Sequence, residues 1–263
     1  MGRAIVHKHR MQHDQLLDLA MTLAARAGEA ILTVRARGFA TRNKDDDTPV
    51  TEADHAAEAL ITAGLRAATP AIPVVAEEEV ASGRVTEPAR RFWLVDPLDG
   101  TREFAKGRDD FAVCVGLVED GRAVLGAVGA PVAGAVYGGI VGKGAWKRDA
   151  SGMVPIAARA APESGIVVVA SRHYSDDPRL APFLAGRKVA EIINMGSALK
   201  FCRVAEGSAD LYPRFGRTME WDTAAAQAML EAAGGRVARL DGGELRYGKP
   251  GWENPGFVCT GRP

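Results

Sequence analysis

Read from its apolar positions, the chain opens with a helix. Leu16, Ala20, Leu23, Ala27, Ile31 and Val34 recur at three- and four-residue spacing, which predicts one buried helical face, with Asp14 placed to cap its start and Gly38 to stop it. A polar connection from Thr41 to Thr48 leads to a second stripe, Ala53, Ala57, Leu60, Ile61 and Leu65, closed by Pro70. The rhythm then shortens. Runs at Ile72–Val75, Phe92–Val95, Phe111–Val118, Ala123–Val128 and Ala135–Val141 are bounded by turn residues and predict strands. Glu119-Asp120-Gly121 predicts a hairpin between the third and fourth, and Gly142-Lys143 another turn.

Past Pro162 strands and helices alternate: a strand over Ile166–Ala170, helices over Ser197–Glu206 and Asp222–Ala233, and a last strand over Phe257–Thr260. The expected organisation is a frayed tail over residues 1–13, an α+β half over 14–160, and an α/β half over 161–263 that completes a shared site. There is no internal repeat and no flexible linker. The tail carries His7, Lys8, His9 and Arg10 but no apolar signal core, and Met11 offers an alternative start.

Composition narrows the function classes. Lysine plus arginine and aspartate plus glutamate each number 33, so no global field recruits a nucleic acid polymer or an anionic membrane. No apolar run approaches a membrane span, which predicts a soluble protein. Cys114, Cys202 and Cys259 are odd in number and far apart, and read as core thiols of a reducing compartment.

The chemistry concentrates in Trp93-Leu94-Val95-Asp96-Pro97-Leu98-Asp99-Gly100-Thr101. An apolar strand runs into two aspartates three apart, a geometry that can aim both carboxylates and the Leu98 carbonyl at one point. Gly100 and Thr101 then offer backbone N–H groups to an anion. Alone, the segment is an ordinary Asp-Pro and Asp-Gly turn. Two other segments repeat its design: Val74-Val75-Ala76-Glu77-Glu78-Glu79 upstream and Glu220-Trp221-Asp222 at the head of an alanine-rich helix. Converging acids repel unless a cation neutralises them, and an oxygen-only set suits Mg²⁺ or Mn²⁺ over zinc. Two further patterns carry little. Gly142-Lys143 lacks the rest of a phosphate loop, and Ser171, His173 and Asp176 or Asp177 lack a nucleophile elbow.

At these residues the sequence resembles the Mg²⁺-dependent, lithium-sensitive phosphatases of the inositol monophosphatase superfamily. Their pattern is an acid in an early loop (Asp47 and Asp54 here), then Glu77-Glu78, then Asp96 to Thr101, then Trp221-Asp222. Within it, Gly196-Ser197-Ala198-Leu199-Lys200-Phe201-Cys202 and Tyr212-Pro213-Arg214-Phe215-Gly216 resemble the bacterial 3′(2′),5′-bisphosphate nucleotidases of the CysQ type. The resemblance implies a layered αβαβα sandwich of the inositol monophosphatase and fructose-1,6-bisphosphatase type, in two subdomains. It implies hydrolysis of adenosine 3′,5′-bisphosphate to AMP and phosphate by a metal-activated water. Inositol-1-monophosphatase, sugar phosphatase and histidinol phosphate phosphatase are alternatives of the same chemistry, and a non-catalytic nucleotide sensor is a third reading.

By the same resemblance, Glu77, Asp96, Asp99, Asp222 and the Leu98 carbonyl are the expected metal ligands for two or three Mg²⁺ ions, with Mn²⁺ as a substitute and Li⁺ as an inhibitor. Asp47, Asp54, Glu77 and Thr101 are the expected catalytic residues. Asp47, Asp54 and Thr101 hold the attacking water, and Glu78 supports the site from behind. Gly100, Thr101, Ser197, Lys200 and Arg214 are the expected substrate contacts, Lys200 and Arg214 for the second phosphate, with Arg172 a weaker third. The implied partner is a small phosphorylated metabolite, the protein a monomer or homodimer, and its place the cytoplasm, peripheral at the inner membrane face in some relatives. Relatives read Gly-His where Ala226-Gln227 stands, so Ala226 is expected to narrow the pocket if that glycine serves close substrate approach. Ala76, for the usual Gly or Ser, is expected to be harmless.

Overall fold

The computed structural model describes residues 11–43, 49–84, 87, 89–172 and 177–263. Helix α1 spans His13–Arg37 and is stopped by Gly38, whose φ of 80° suits only glycine well. Its cap is Gln12, not Asp14. Gln15 Oε1 accepts the Gln12 backbone N–H at 2.9 Å, while Asp14 pairs with Lys143. The expected tail is therefore too long by its inner edge: His13 is helical and lies 3.1 Å from Glu119. Part of the expected polar connection is a ribbon, β1 (Thr41–Asn43) paired antiparallel with β2 (Pro49–Thr51). Asp45, Asp46, Asp47 and Thr48 lie outside the described residues, as do residues 1–10. Helix α2 (Glu52–Ala68) follows, capped by Thr51.

A seven-stranded sheet comes next, with α3 (Glu77–Ala81) and α4 (Thr101–Ala105) in its connections. Its strands are β3 (Val74–Ala76), β4 (Arg91–Asp99), β5 (Ala112–Glu119), β6 (Arg122–Ala130), β7 (Ala135–Ile140), β8 (Gly144–Asp149) and β9 (Gly152–Ile156), in that spatial order. β3 runs parallel to β4, and every later pair is antiparallel. The β5–β6 hairpin turns at Asp120 and Gly121, both at positive φ, as the Asp-Gly pair predicts.

The second sheet has the order β11-β10-β12-β16-β14. Its elements are β10 (Ile166–Ser171), α5 (Leu180–Leu184), β11 (Val189–Met195), α6 (Leu199–Ala205), β12 (Leu211–Arg214), β13 (Thr218–Met219), α7 (Glu220–Ala232), β14 (Arg236–Arg239), β15 (Glu253–Asn254) and β16 (Phe257–Thr260). Two expected helix starts shift: α6 begins at Leu199, because Ser197 is left-handed at φ 54°, and α7 begins at Glu220. β8, β9, β11, β12, β13, β14 and β15 were not anticipated from the pattern.

The layers follow from burial. Apolar faces of α1 and α2 cover one side of the first sheet, where Leu16, Ile31, Ile61, Trp93 and Val115 share a core. α6 and α7 fill the space between the sheets, joining Leu94 and Cys114 to Met229, Phe257 and Cys259. Leu184 of α5 packs on Val168 and Leu211 on the far side. The result is the αβαβα sandwich. All three cysteines are free and buried, and no helix among the described residues is long and apolar enough to cross a membrane.

One close approach fixes the site. Gly116 and Gly126 are cross-strand partners on β5 and β6. A Cβ on Gly116 would stand 2.6 Å from Ala225 N, and one on Gly126 2.2 Å from Ala225 O. α7 is thus seated directly on the sheet backbone, which brings its first turn to the strand ends.

Candidate active site

The parallel pairing of β3 and β4 decides the first half of the site. Ala76 lies opposite Val95, so the residues that follow, Glu77 and Asp96, come side by side where β3 ends. Asp96 opposes Cys114 and Asp99 opposes Ala112, so two residues between them on β4 face one on β5. That extra residue is a bulge at Pro97-Leu98, and it turns Asp99 onto the face that Asp96 already occupies. Asp96 Oδ1 accepts the Leu98 N–H at 3.0 Å and holds the bulge.

Gly100 then takes φ 97°, and a Cβ there would stand 3.1 Å from Asp110 O and 3.3 Å from Ser197 Cβ. Thr101 follows. Its Oγ1 lies 3.0 Å from Asp54 Oδ1 and 3.0 Å from the Leu98 carbonyl. Asp54 comes from the first turn of α2, where its Oδ2 accepts the Thr51 N–H at 2.8 Å and the Thr51 hydroxyl at 2.7 Å. Burial raises the Asp54 pKa, those hydrogen bonds opposing it and Glu77 adding to it.

Asp222 enters from the opposite side as the third residue of α7, its Oδ2 accepting the Met219 N–H at 2.9 Å. Burial, then the charges of Asp99 and Glu77, push its pKa well up. Asp99 is raised to about 6, first by burial and also by Glu77, against the pull of Lys200 and the Ala198 N–H. These acids feel one another because they line one open cavity of about 550 Å³, together with Glu77, Asp96, Leu98, Thr101 and Arg214. Among the described residues no three acid, histidine or cysteine side chains already close on a single point as a finished ligand set. The donor chemistry fits a hard dication nonetheless: the set is all oxygen, and at Asp99 and Asp222 burial and neighbouring acids disfavour the charged form that a cation would restore.

The other wall is built from residues 196–200 and β12. Gly196 donates to Asp110 Oδ2 at 2.5 Å, and a Cβ on it would meet Glu103 Cγ and Asp110 O at 2.7 Å. Lys200 lines the cavity but is only 3% exposed. Its ammonium donates to Ser197 O at 2.6 Å and Met195 O at 3.4 Å and lies 5.1 Å from the Tyr212 ring. Burial lowers its pKa to about 8. Arg214 lines the cavity and donates to Arg217 O at 2.8 Å. Arg172 is turned to Asp110 at 3.1 Å and is not in the lining.

Glu78 is buried behind Glu77, and its N–H donates to Glu58 Oε2 at 2.7 Å. Glu58 escaped the sequence reading. It stands one helical turn after Asp54 beside Ala57, and an acid next to a buried stripe was the available signal. Burial raises Glu58 to about 7, with Glu78, Glu79 and Glu77 adding to it and the Glu78 N–H opposing. Ala226 and Gln227 are buried outside the lining. Gln227 bonds Tyr247 and Glu231 instead, so the expected narrowing by Ala226 does not occur. His173 and Asp176 lie outside the described residues, and Asp177 pairs with Arg179.

Carboxylates that suit a cation and a guanidinium, that of Arg214, which suits an anion line one cavity, the parts of a phosphatase, a hydrolase of phosphoric monoesters. The chain belongs to the inositol monophosphatase family, a family of metal-dependent phosphatases, whose pattern matches residues 12–260. It is 44% identical over 248 residues to the 3′(2′),5′-bisphosphate nucleotidase CysQ of Salmonella typhimurium, covering 93% of this chain and 99% of that protein. The solved structure of CysQ from Bacteroides thetaiotaomicron superposes with a TM-score of 0.80 at 32% identity, covering 97% of this chain and 100% of that one. An inositol monophosphatase from Anabaena superposes at 0.75 with 27% identity, over 95% and 91% of the two chains.

Proposed function

We propose that the chain is a 3′(2′),5′-bisphosphate nucleotidase that converts adenosine 3′,5′-bisphosphate to AMP and phosphate, with Mg²⁺ as its cation. The supporting observation is that Arg214 shares one cavity with Asp96, Asp99 and Asp222. A substrate with two phosphates needs one to be hydrolysed at the acid wall and the other held away from it, and a guanidinium suits the second. The CysQ relative supports the same substrate.

Glu77, Asp96, Asp99, Asp222 and the Leu98 carbonyl would hold two or three ions. Mg²⁺ bound there supplies charge stabilisation at the phosphoryl group and makes water acidic enough to attack near neutral pH. The remaining work falls to the chain's own groups. Thr101 Oγ1 orients the attacking water and takes its proton as the hydroxyl proton passes to Asp54 Oδ1, 3.0 Å away. Burial makes Asp54 a stronger base for that step. Asp47 is assigned a share in holding the water. Backbone N–H groups of Gly100 and Thr101, with Ser197, receive the phosphoryl oxygens. Lys200 fixes the Ser197 carbonyl and adds positive charge behind Asp99, and Arg214 binds the second phosphate. Glu78 braces Glu77 through Glu58. The proposed setting is cytoplasmic clearance of the by-product of sulfate activation, by a monomer or homodimer.

A phosphate-release panel over adenosine 3′,5′-bisphosphate, inositol 1-phosphate, fructose 1,6-bisphosphate and histidinol phosphate tests this. The nucleotide is expected to turn over fastest, only with Mg²⁺ or Mn²⁺, and to be inhibited by Li⁺. Faster hydrolysis of inositol 1-phosphate would overturn the substrate, and binding of the nucleotide without turnover would leave a sensor.

A further inference from the structure

Asp222 is held by its own helix turn, and that turn is gripped from outside by a segment the chemistry does not use. Glu220, two residues before Asp222, is 0% exposed. Its carboxylate accepts the Gly248 N–H at 2.6 Å, the Lys249 N–H at 2.9 Å and the Lys249 ammonium at 2.6 Å. Lys249 also donates to Asn254 Oδ1 at 3.1 Å. The Asn254 amide then spans the turn, donating to Met219 O at 2.8 Å and to Thr223 Oγ1 at 2.9 Å. Met219 is the residue whose N–H holds Asp222 Oδ2. The segment between Lys249 and Asn254 is anchored at Trp252, whose ring packs edge-on against Phe92 at 6.0 Å.

We propose that Asn254 and Lys249 are positioning residues that set the height and rotation of Asp222 and thereby the affinity of the site for divalent cations. The inference rests on the reading of Asp222 as a metal ligand. Partners that orient a ligating carboxylate commonly alter metal affinity by 10–100-fold when removed. Here the direction separates positioning from simple charge. Asn254→Asp and Lys249→Met each make the neighbourhood more negative, so electrostatics alone would tighten binding of a dication. Loss of the brace loosens it.

The test is titration of the full-length protein with Mn²⁺, free and bound ion being distinguished by electron paramagnetic resonance. Asn254→Asp, Lys249→Met and Asp222→Asn are run beside Tyr137→Phe. That last variant loses a 2.9 Å bond to Glu206 away from the cavity and controls for general destabilisation. Circular dichroism verifies that each variant is folded. The expected result is Mn²⁺ affinity weakened roughly 10-fold or more in Asn254→Asp and Lys249→Met and unchanged in Tyr137→Phe. Unchanged or tighter binding in both brace variants, with Asp222→Asn weakened, overturns the inference and leaves the metal site standing. Unchanged binding in Asp222→Asn removes the metal reading, and the inference with it.

Discussion

The two walls of the cavity are made in different ways. The acid wall is set by strand geometry: a parallel pair that delivers Glu77 beside Asp96, and a bulge that turns Asp99 to join it. Two of its side chains are held by close neighbours in sequence, Asp96 by the Leu98 N–H and Asp222 by the Met219 N–H. The wall of residues 196–200 and β12 depends on contacts distant in sequence. Gly196 reaches Asp110, Ala198 reaches Asp99, and the Ser197 turn is held by a buried lysine. The difference suggests a division of labour. Strand and turn geometry sets Asp96 and Asp222, whereas Arg214 on the second wall can change the substrate; the two walls meet where the Ala198 N–H holds Asp99.

The largest expected effect breaks the acid wall. Asp96→Asn should lower kcat by roughly 10³-fold or more, since one charge that offsets the dication is gone. The circular dichroism spectrum should stay unchanged, because an amide oxygen can still accept the Leu98 N–H. Thr101→Val should cost on the order of 10²-fold or more in kcat with little change in KM, and Thr101→Ser should restore most of it, since only the hydroxyl relays the proton. Equal effects of valine and serine on turnover would place the role elsewhere.

On the other wall, Arg214→Ala should raise KM for the bisphosphate by about 10–100-fold, the worth of a charged hydrogen bond, and alter KM for a monophosphate far less. An equal rise for both would erase the proposed division of labour.

The smallest effect concerns Glu58, behind the acid wall. Its folded pKa of about 7 stands above an ordinary 4.5 because burial disfavours the charge. A raised acid stabilises the fold fully below the unfolded value, and that contribution is lost as pH climbs through about 7. In EDTA-treated protein, Glu58→Gln should therefore raise Tm at pH 8 by roughly 2–5 °C and change it little at pH 4. A lower Tm at pH 8 would mean that its hydrogen bond to the Glu78 N–H outweighs the buried charge.

Much of the acid wall was legible because its chemistry sits at strand ends, where an apolar run abruptly meets carboxylates. The bulge was not legible, since three-residue spacing of Asp96 and Asp99 is ambiguous until the opposite strand is counted. Strand β11 escaped detection because it is an edge strand exposed along its middle, so no alternation marks it. β12 was hidden by Pro213, which reads as a strand breaker. Its ladder to β10 is a single pair, Val168 with Leu211, so the proline disrupts little. Lys200 looked like a phosphate ligand because sequence gives charge without direction. Only the fold turns its ammonium to the Ser197 carbonyl. The seat of α7 was present as Gly116, Gly126 and Ala225, yet glycines 10 positions apart become a pair only through the β5–β6 register.

In the proposed mechanism Glu77, Asp96, Asp99 and Asp222 share divalent ions. Anomalous diffraction from a crystal soaked in Mn²⁺ measures this without reference to substrate. At least one strong peak is expected in the cavity within coordination distance of Asp96 and a second of these acids. Crystals that bind Mn²⁺ elsewhere while the cavity shows none would contradict it.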